Sequence, residues 1–129
     1  MIGLIGSWKP KAYAALRVVT GLLFAQHGAQ KLFGVLGGSQ REVFTQMGLA
    51  GVIEFFGGLL IAAGLFASPV AFLACGEMAW AYFQSHAPRG FWPVMNGGEL
   101  TVLYCWIFLY IATTGSGIWS VDAELRRRS

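Results

Sequence analysis

Four apolar stretches, at about residues 12–33, 48–66, 68–86 and 98–117, constrain this chain more than any other feature of its sequence. Each comes close to the roughly 20 residues that an α-helix needs to cross the hydrocarbon of a bilayer. The runs are continuous instead of alternating, which argues against strands, and an open sheet edge could not satisfy its backbone in lipid. The sequence therefore predicts an all-α fold, a four-transmembrane-helix bundle that takes residues 1–129 as one domain. Composition agrees, since 56% of the 129 residues are hydrophobic and 12% are charged. That is about half the charge of an ordinary soluble domain, so a water-soluble enzyme and a disordered chain are both excluded.

The connections carry their own signals. The second and third stretches meet at Ala67-Ser68-Pro69, where Ser68 reads as an N-cap and Pro69 as the first helical residue. Residues 34–47 and 87–97 are punctuated by Gly and Pro and read as loops. Asn96 with Glu99 three residues on reads as a capping box at the start of the fourth span. The first twenty residues have no charged start, and the apolar run continues into His27 and Lys31 instead of a small-residue cleavage site, so no removable leader is expected. Lys9, Lys11, Arg126, Arg127 and Arg128 flank the ends of the chain, while Arg41 and Arg89 lie in the two long loops. The positive-inside bias then places both termini in the cytoplasm and predicts a multi-pass protein of a bacterial inner membrane. A net charge of +3 with a basic triplet at the C-terminus suits an anionic leaflet, and nucleic acid is not an expected partner.

Ionisable groups inside such spans are costly unless they meet one another, at about 2.5–3.5 kcal/mol each near the bilayer centre. On the first span Arg17, Thr20, Gly21, Phe24, His27, Gly28 and Lys31 share one side of the helix. Leu16, Val18, Val19, Leu22, Leu23 and Ala25 are left for lipid or apolar packing. With alternating helix direction, His27, Lys31, Glu54, His86 and Glu99 fall in one layer near the outer ends of the spans. Arg17 and Glu77 lie deeper and read as a structural ion pair. On the fourth span Glu99, Trp106, Tyr110 and Thr113 read as an inward stripe. Gly51, Gly57, Gly58 and Ala62 let the backbone around Glu54 approach a neighbour closely.

The layer has two readings. One is an ion network that fixes helix register without chemistry. The other is a polar-headed ligand site, with His27, Lys31, Glu54, His86, Glu99 and Trp92 as candidate residues for a quinone-like or lipid-like molecule. No metal is expected, because the two histidines lack the Glu-x-x-His or Cys-x-x-Cys-His context of iron sites. Cys75 and Cys105 read as small buried hydrophobes at different depths.

The order of several motifs is similar to that of a known family. Arg17, Gly21-Leu22-Leu23-Phe24, His27-Gly28 and Lys31-Leu32-Phe33-Gly34 are followed by Glu54-Phe55-Phe56-Gly57-Gly58. His86-Ala87-Pro88-Arg89-Gly90-Phe91-Trp92-Pro93, Asn96-Gly97-Gly98-Glu99, Leu103-Tyr104-Cys105 and Ser120-Val121-Asp122 complete the series. Together they resemble the DoxX family of small four-helix bacterial membrane proteins, over nearly the whole chain. The resemblance implies a quinone-linked redox or accessory subunit, since the family is named after a membrane component linked to thiosulfate:quinone oxidoreduction and quinol oxidase complexes. It implies no catalytic residues. It implies no covalent cofactor, at most a bound quinone, and as partners membrane lipids and either other proteins of a membrane complex or further copies of the chain. Electrons would have to come from elsewhere, because the chain has no dinucleotide fingerprint, haem motif or cluster ligands. The alternatives are a non-catalytic subunit of a larger respiratory or photosynthetic complex and a small lipid or solute carrier.

Overall fold

A computed structural model describes residues 2–129; Met1, the first residue of the expected domain, lies outside them. Among the described residues all regular structure is helical. After a short α1 (Ile2–Gly6) come four long helices, α2 (Lys9–Phe33), α3 (Gln46–Ala63), α4 (Ala67–Ala81) and, past a short α5 (Pro93–Asn96), α6 (Glu99–Thr114). A last helix, α7 (Val121–Arg128), closes the chain. The long helices coincide with the four apolar stretches. Among the described residues, by length and apolarity taken alone, only α3 is sufficient to cross a membrane; α6 is also apolar but has 16 residues. α4 is continued by a π-helical turn, Tyr82–His86, and a 3₁₀ turn, Ala87–Arg89, so much of the expected loop 87–97 is helical.

Each boundary has a chemical cause. Thr45 caps α3 by accepting a hydrogen bond from the Gly48 amide. Gly64 ends α3 in the left-handed conformation at φ 73°, where it also leaves room for Ser120 and the Arg17 guanidinium. The turn to α4 is tight, as expected, but Ser68 does not cap it. α4 begins at Ala67, the Ser68 hydroxyl donates to the Ala112 carbonyl of α6, and the Phe66 amide at the helix start donates instead to Asp122 of α7. Asn96 likewise makes no capping box with Glu99. Its side-chain oxygen accepts from the Gly98 amide two residues on, an Asx turn, while its amide nitrogen donates to Tyr82 Oη and the Gly90 carbonyl.

Packing divides into two antiparallel pairs, α2 with α3 and α4 with α6, joined by α3 against α4. In the first pair glycine lines both sides. Gly21 of α2 meets Gly58 of α3, and Gly28 meets the backbone of Gly51 and Phe55. In the second pair Ala67, Ala71 and Ala74 of α4 accept the bulk of Tyr104, Phe108 and Ile111 from α6, with Phe24 of α2 closing on the same rings. The inward face of α6 is therefore this aromatic one. Glu99, Trp106, Tyr110 and Thr113, expected inside, are exposed. Ala25, expected toward lipid, is buried against Gly58.

Large apolar side chains cover the outside of all four long helices. Val19, Leu22 and Leu23 on α2, Phe56 and Leu59 on α3, Phe72, Leu73 and Trp80 on α4, and Leu103 and Trp106 on α6 are all exposed. A soluble monomer rarely carries continuous apolar surface on this scale.

Candidate functional site

The ends of α2, α4 and the start of α6 leave an open cavity of about 850 Å³ next to the first turns of α3. Its acidic, basic and imidazole side chains are those of His27, Lys31, Glu54, Glu77 and His86, and its apolar walls include Met47, Leu49, Ile53, Trp80 and Leu100. Four of the six candidate ligand residues thus meet around one space. The other two do not line it: Glu99 begins α6 on its exposed side, and Trp92 stands out from the connecting segment at 62% exposure.

At the centre is an ion pair between α2 and α3. Lys31 Nζ lies 2.5 Å from Glu54 Oε1, with the Glu54 side chain 3% exposed and that of Lys31 21%. Gly28 and Gly51 bring the two backbones together here, and a Cβ on Gly51 would fall 2.9 Å from the Lys31 Cβ. A carboxylate withdrawn this far from water needs such a partner. His27, one turn before Lys31, is half-buried and stands edge-on to Tyr104, with ring centroids 5.9 Å apart. His86 reaches the cavity from the π-helical turn. Its Nδ1 is 3.3 Å from the Asn96 carbonyl and its Nε2 3.4 Å from Thr101 Oγ1, and its ring stacks on Tyr82. At the mouth, the side-chain amides of Gln46 and Gln84 hydrogen-bond each other reciprocally, tying the start of α3 to the π-helical turn.

Arg17 and Glu77 are not partners. Arg17 is completely buried at the opposite end of the protein, where its guanidinium donates to the carbonyls of Ile61, Ala62, Ser116, Ile118 and Trp119. Two of these, Ile61 and Ala62, lie in the last turn of α3, where a cation is favourably placed. Glu77 belongs to the cavity. Its carboxyl meets that of Glu54, and its Oε1 is sealed from solvent with no hydrogen-bond donor among the described residues. A spacing argument could have found it, because Glu77 lies one helical turn before Trp80 and Ala81, both on the cavity wall. Cys75 and Cys105, expected at different depths, are neighbours across the α4–α6 seam, with Sγ atoms 3.7 Å apart and both thiols free. No cluster of three or more metal-ligating side chains occurs among the described residues.

The family model for DoxX matches residues 12–87, which run from α2 through the π-helical turn and contain every ionisable group of the cavity except Tyr104. A protein of Haemophilus influenzae, described as uncharacterized, is 38% identical over 128 aligned positions that cover 94% of this chain and 96% of the relative. The chain belongs to the DoxX family. It is a DoxX-like membrane protein, and the exposed apolar belt of its helices has its explanation in that setting. No solved structure matches it. In this DoxX chain the cavity offers a cation held by one carboxylate, a second carboxyl beside it, two imidazoles and an apolar wall, a set that can bind and exchange protons with a polar head while leaving a tail in lipid.

Proposed function

We propose that this DoxX protein is a multi-pass inner-membrane subunit of a quinone-linked redox system, with four spans, both termini cytoplasmic, and the quinone head seated in the cavity. One observation carries the reading: four separated ionisable residues of the sequence, His27, Lys31, Glu54 and His86, line a single cavity that also has apolar walls. Lys31 polarises a ligand oxygen, and Glu54 holds it in place. His27 exchanges a proton, while His86, tethered to Asn96 and Thr101, orients the mouth. Electrons enter from a partner protein. The four-span arrangement is supported by the apolar flanks of α2, α3, α4 and α6. The shared side of the termini is supported by the Tyr13 hydroxyl donating to the Gly115 carbonyl at 2.5 Å, which ties the start of α2 to the end of α6. Five cations of the tails, Lys9, Lys11, Arg126, Arg127 and Arg128, then lie on that side.

The test is extraction in mild detergent followed by mass spectrometry of the bound lipids. Quinone should co-purify with the wild-type protein and be lost from a folded His27→Leu variant. Protein isolated from quinone-containing membranes with no quinone above the level of a control membrane protein would sink the reading.

A second reading, a non-catalytic accessory subunit, is favoured by one feature. Phe91, Trp92, Val94 and Met95 form an apolar tip on the segment before α6, with Phe91 80% exposed. A photo-crosslinker at position 92 that traps one membrane protein in stoichiometric amount, with no quinone recovered, would favour it.

A further inference from the structure

Glu54 and Glu77 present a problem of hydrogen-bond accounting. Both carboxyl groups come from helices that face the cavity, they meet each other, and Glu77 Oε1 is shut off from water with no N–H or O–H donor among the described residues. Two ionised carboxylates have only acceptor atoms, so nothing holds them together. Lys31 answers one negative charge, through its bond to Glu54, and leaves the second unanswered. The other titratable groups around the pair form no hydrogen bond with either carboxyl among the described residues. His27 of α2 packs edge-on to Tyr104 of α6, and His86 is held at the mouth by Asn96 and Thr101. One proton between the carboxyl groups resolves the account. It turns the contact into a hydrogen bond and leaves Lys31, Glu54 and Glu77 with no net charge, the state that an apolar surrounding favours.

We infer that Glu54 and Glu77 share one proton on the wall of the cavity, and that this pair is the site at which a bound quinone oxygen exchanges a hydrogen bond with the protein. Glu77 thereby becomes a ligand-contacting residue, which the sequence alone had assigned to a partner at the other end of the bundle. The second half of the inference rests on the quinone reading proposed above; the shared proton does not. The substitution Glu77→Gln is informative because an amide N–H donates permanently where the proton was shared, so the contact with Glu54 and the fold are retained. Glu54→Gln releases Lys31, which is then free to answer an ionised Glu77.

The experiment is infrared spectroscopy of the protein in nanodiscs of phosphatidylethanolamine and phosphatidylglycerol, with and without a short-tailed ubiquinone as probe. A protonated-carboxyl C=O band should be present in the wild type, absent from both Glu77→Gln and Glu54→Gln, and shifted when the probe binds. No such band in the wild type, or its survival in either folded variant, overturns the shared proton. Retention of the probe above empty nanodiscs without any shift overturns the exchange and leaves the quinone reading standing. A band with the expected variant behaviour but no retention of the probe overturns the quinone reading, and with it the exchange, while the shared proton holds.

Discussion

Gly21 and Gly58 face each other so closely that a Cβ built on either would lie 2.5 Å from the carbonyl oxygen of the other. Gly28 and Gly51, seven residues along each helix, repeat the approach, and the spacing keeps both contacts on one seam of the antiparallel pair. Apolar helices in lipid gain little from hydrophobic burial against each other, so close backbone packing of this kind has to hold them together. Gly58→Leu should therefore lower the melting temperature of the detergent-solubilised protein sharply, at a cost of about 3 kcal/mol or more from overpacking. Gly76→Ala, at a position with nothing within 4 Å, is the matched control and should be nearly neutral or slightly stabilising. Equal melting of the two variants would show that α2 and α3 do not pack through this seam.

The ion pair of Lys31 and Glu54 should show the asymmetry of partly buried pairs. Lys31→Met strands a carboxylate that is 3% exposed, and a loss of roughly 3–5 kcal/mol is expected. Lys31→Met combined with Glu54→Met removes the charge together with its partner and should recover most of that stability. Chemical denaturation in one detergent compares the three proteins. A double variant no more stable than Lys31→Met would mean that the pair does not act as a unit.

Arg17 acts as a five-point staple, and lysine cannot replace its fork. Arg17→Lys should cost about 2–3 kcal/mol, since at least one buried carbonyl loses a charged donor. Limited proteolysis should then cut first between Gly115 and Ser120, the segment whose carbonyls Arg17 holds. Unchanged protection of that segment would contradict the assignment. Asp122→Asn should be milder, because an amide oxygen still accepts from the Phe66 amide and the Ser116 hydroxyl.

The neighbouring thiols of Cys75 and Cys105 give a direct check on how α4 and α6 align. A membrane-permeable oxidant should join them within one chain, since closing from 3.7 Å to the roughly 2.05 Å of a disulfide needs little more than side-chain rotation. Intact mass spectrometry should show the loss of two hydrogens and protection from maleimide, both reversed by reductant. Full maleimide labelling after oxidation would mean that the two helices are in a different register.

The parts of this structure that were legible in the sequence are those where polarity varies around a helix. On α2 the side carrying Arg17, Thr20, Gly21, Phe24 and Gly28 is the buried one, as its small and charged residues indicate. On α6 there was no such contrast. The helix is apolar on every side, so its few polar residues did not mark the interior; the inward face is set by shape, where the alanines of α4 make room for Tyr104 and Phe108. Among the site residues, His27, Lys31, Glu54 and His86 could be placed together from helix direction alone. Glu99 and Trp92 could not be excluded, because their positions depend on the path of the segment around Asn96, which closes on its own backbone through Gly90 and Gly98. Pairing Glu77 with Arg17 requires a common depth that the two do not share, since Glu77 sits at the cavity and Arg17 at the opposite end of the helices. The guanidinium finds five backbone oxygens near the ends of α3 and α6 and has no need of a carboxylate.

The π-helical turn at Tyr82–His86 corrects a phase error. At about 100° per residue, an unbroken α-helix would point positions 77 and 86 to opposite sides of its axis. The wider turn winds more slowly and recovers part of that half-rotation, so one continuous rod delivers an acid and an imidazole to the same hollow. The irregular coil is thus a gearing device: rewinding it as regular α-helix, with no residue added or removed, would swing His86 away from the side that carries Glu77 and uncouple the rim of the chamber from its interior without touching any group inside.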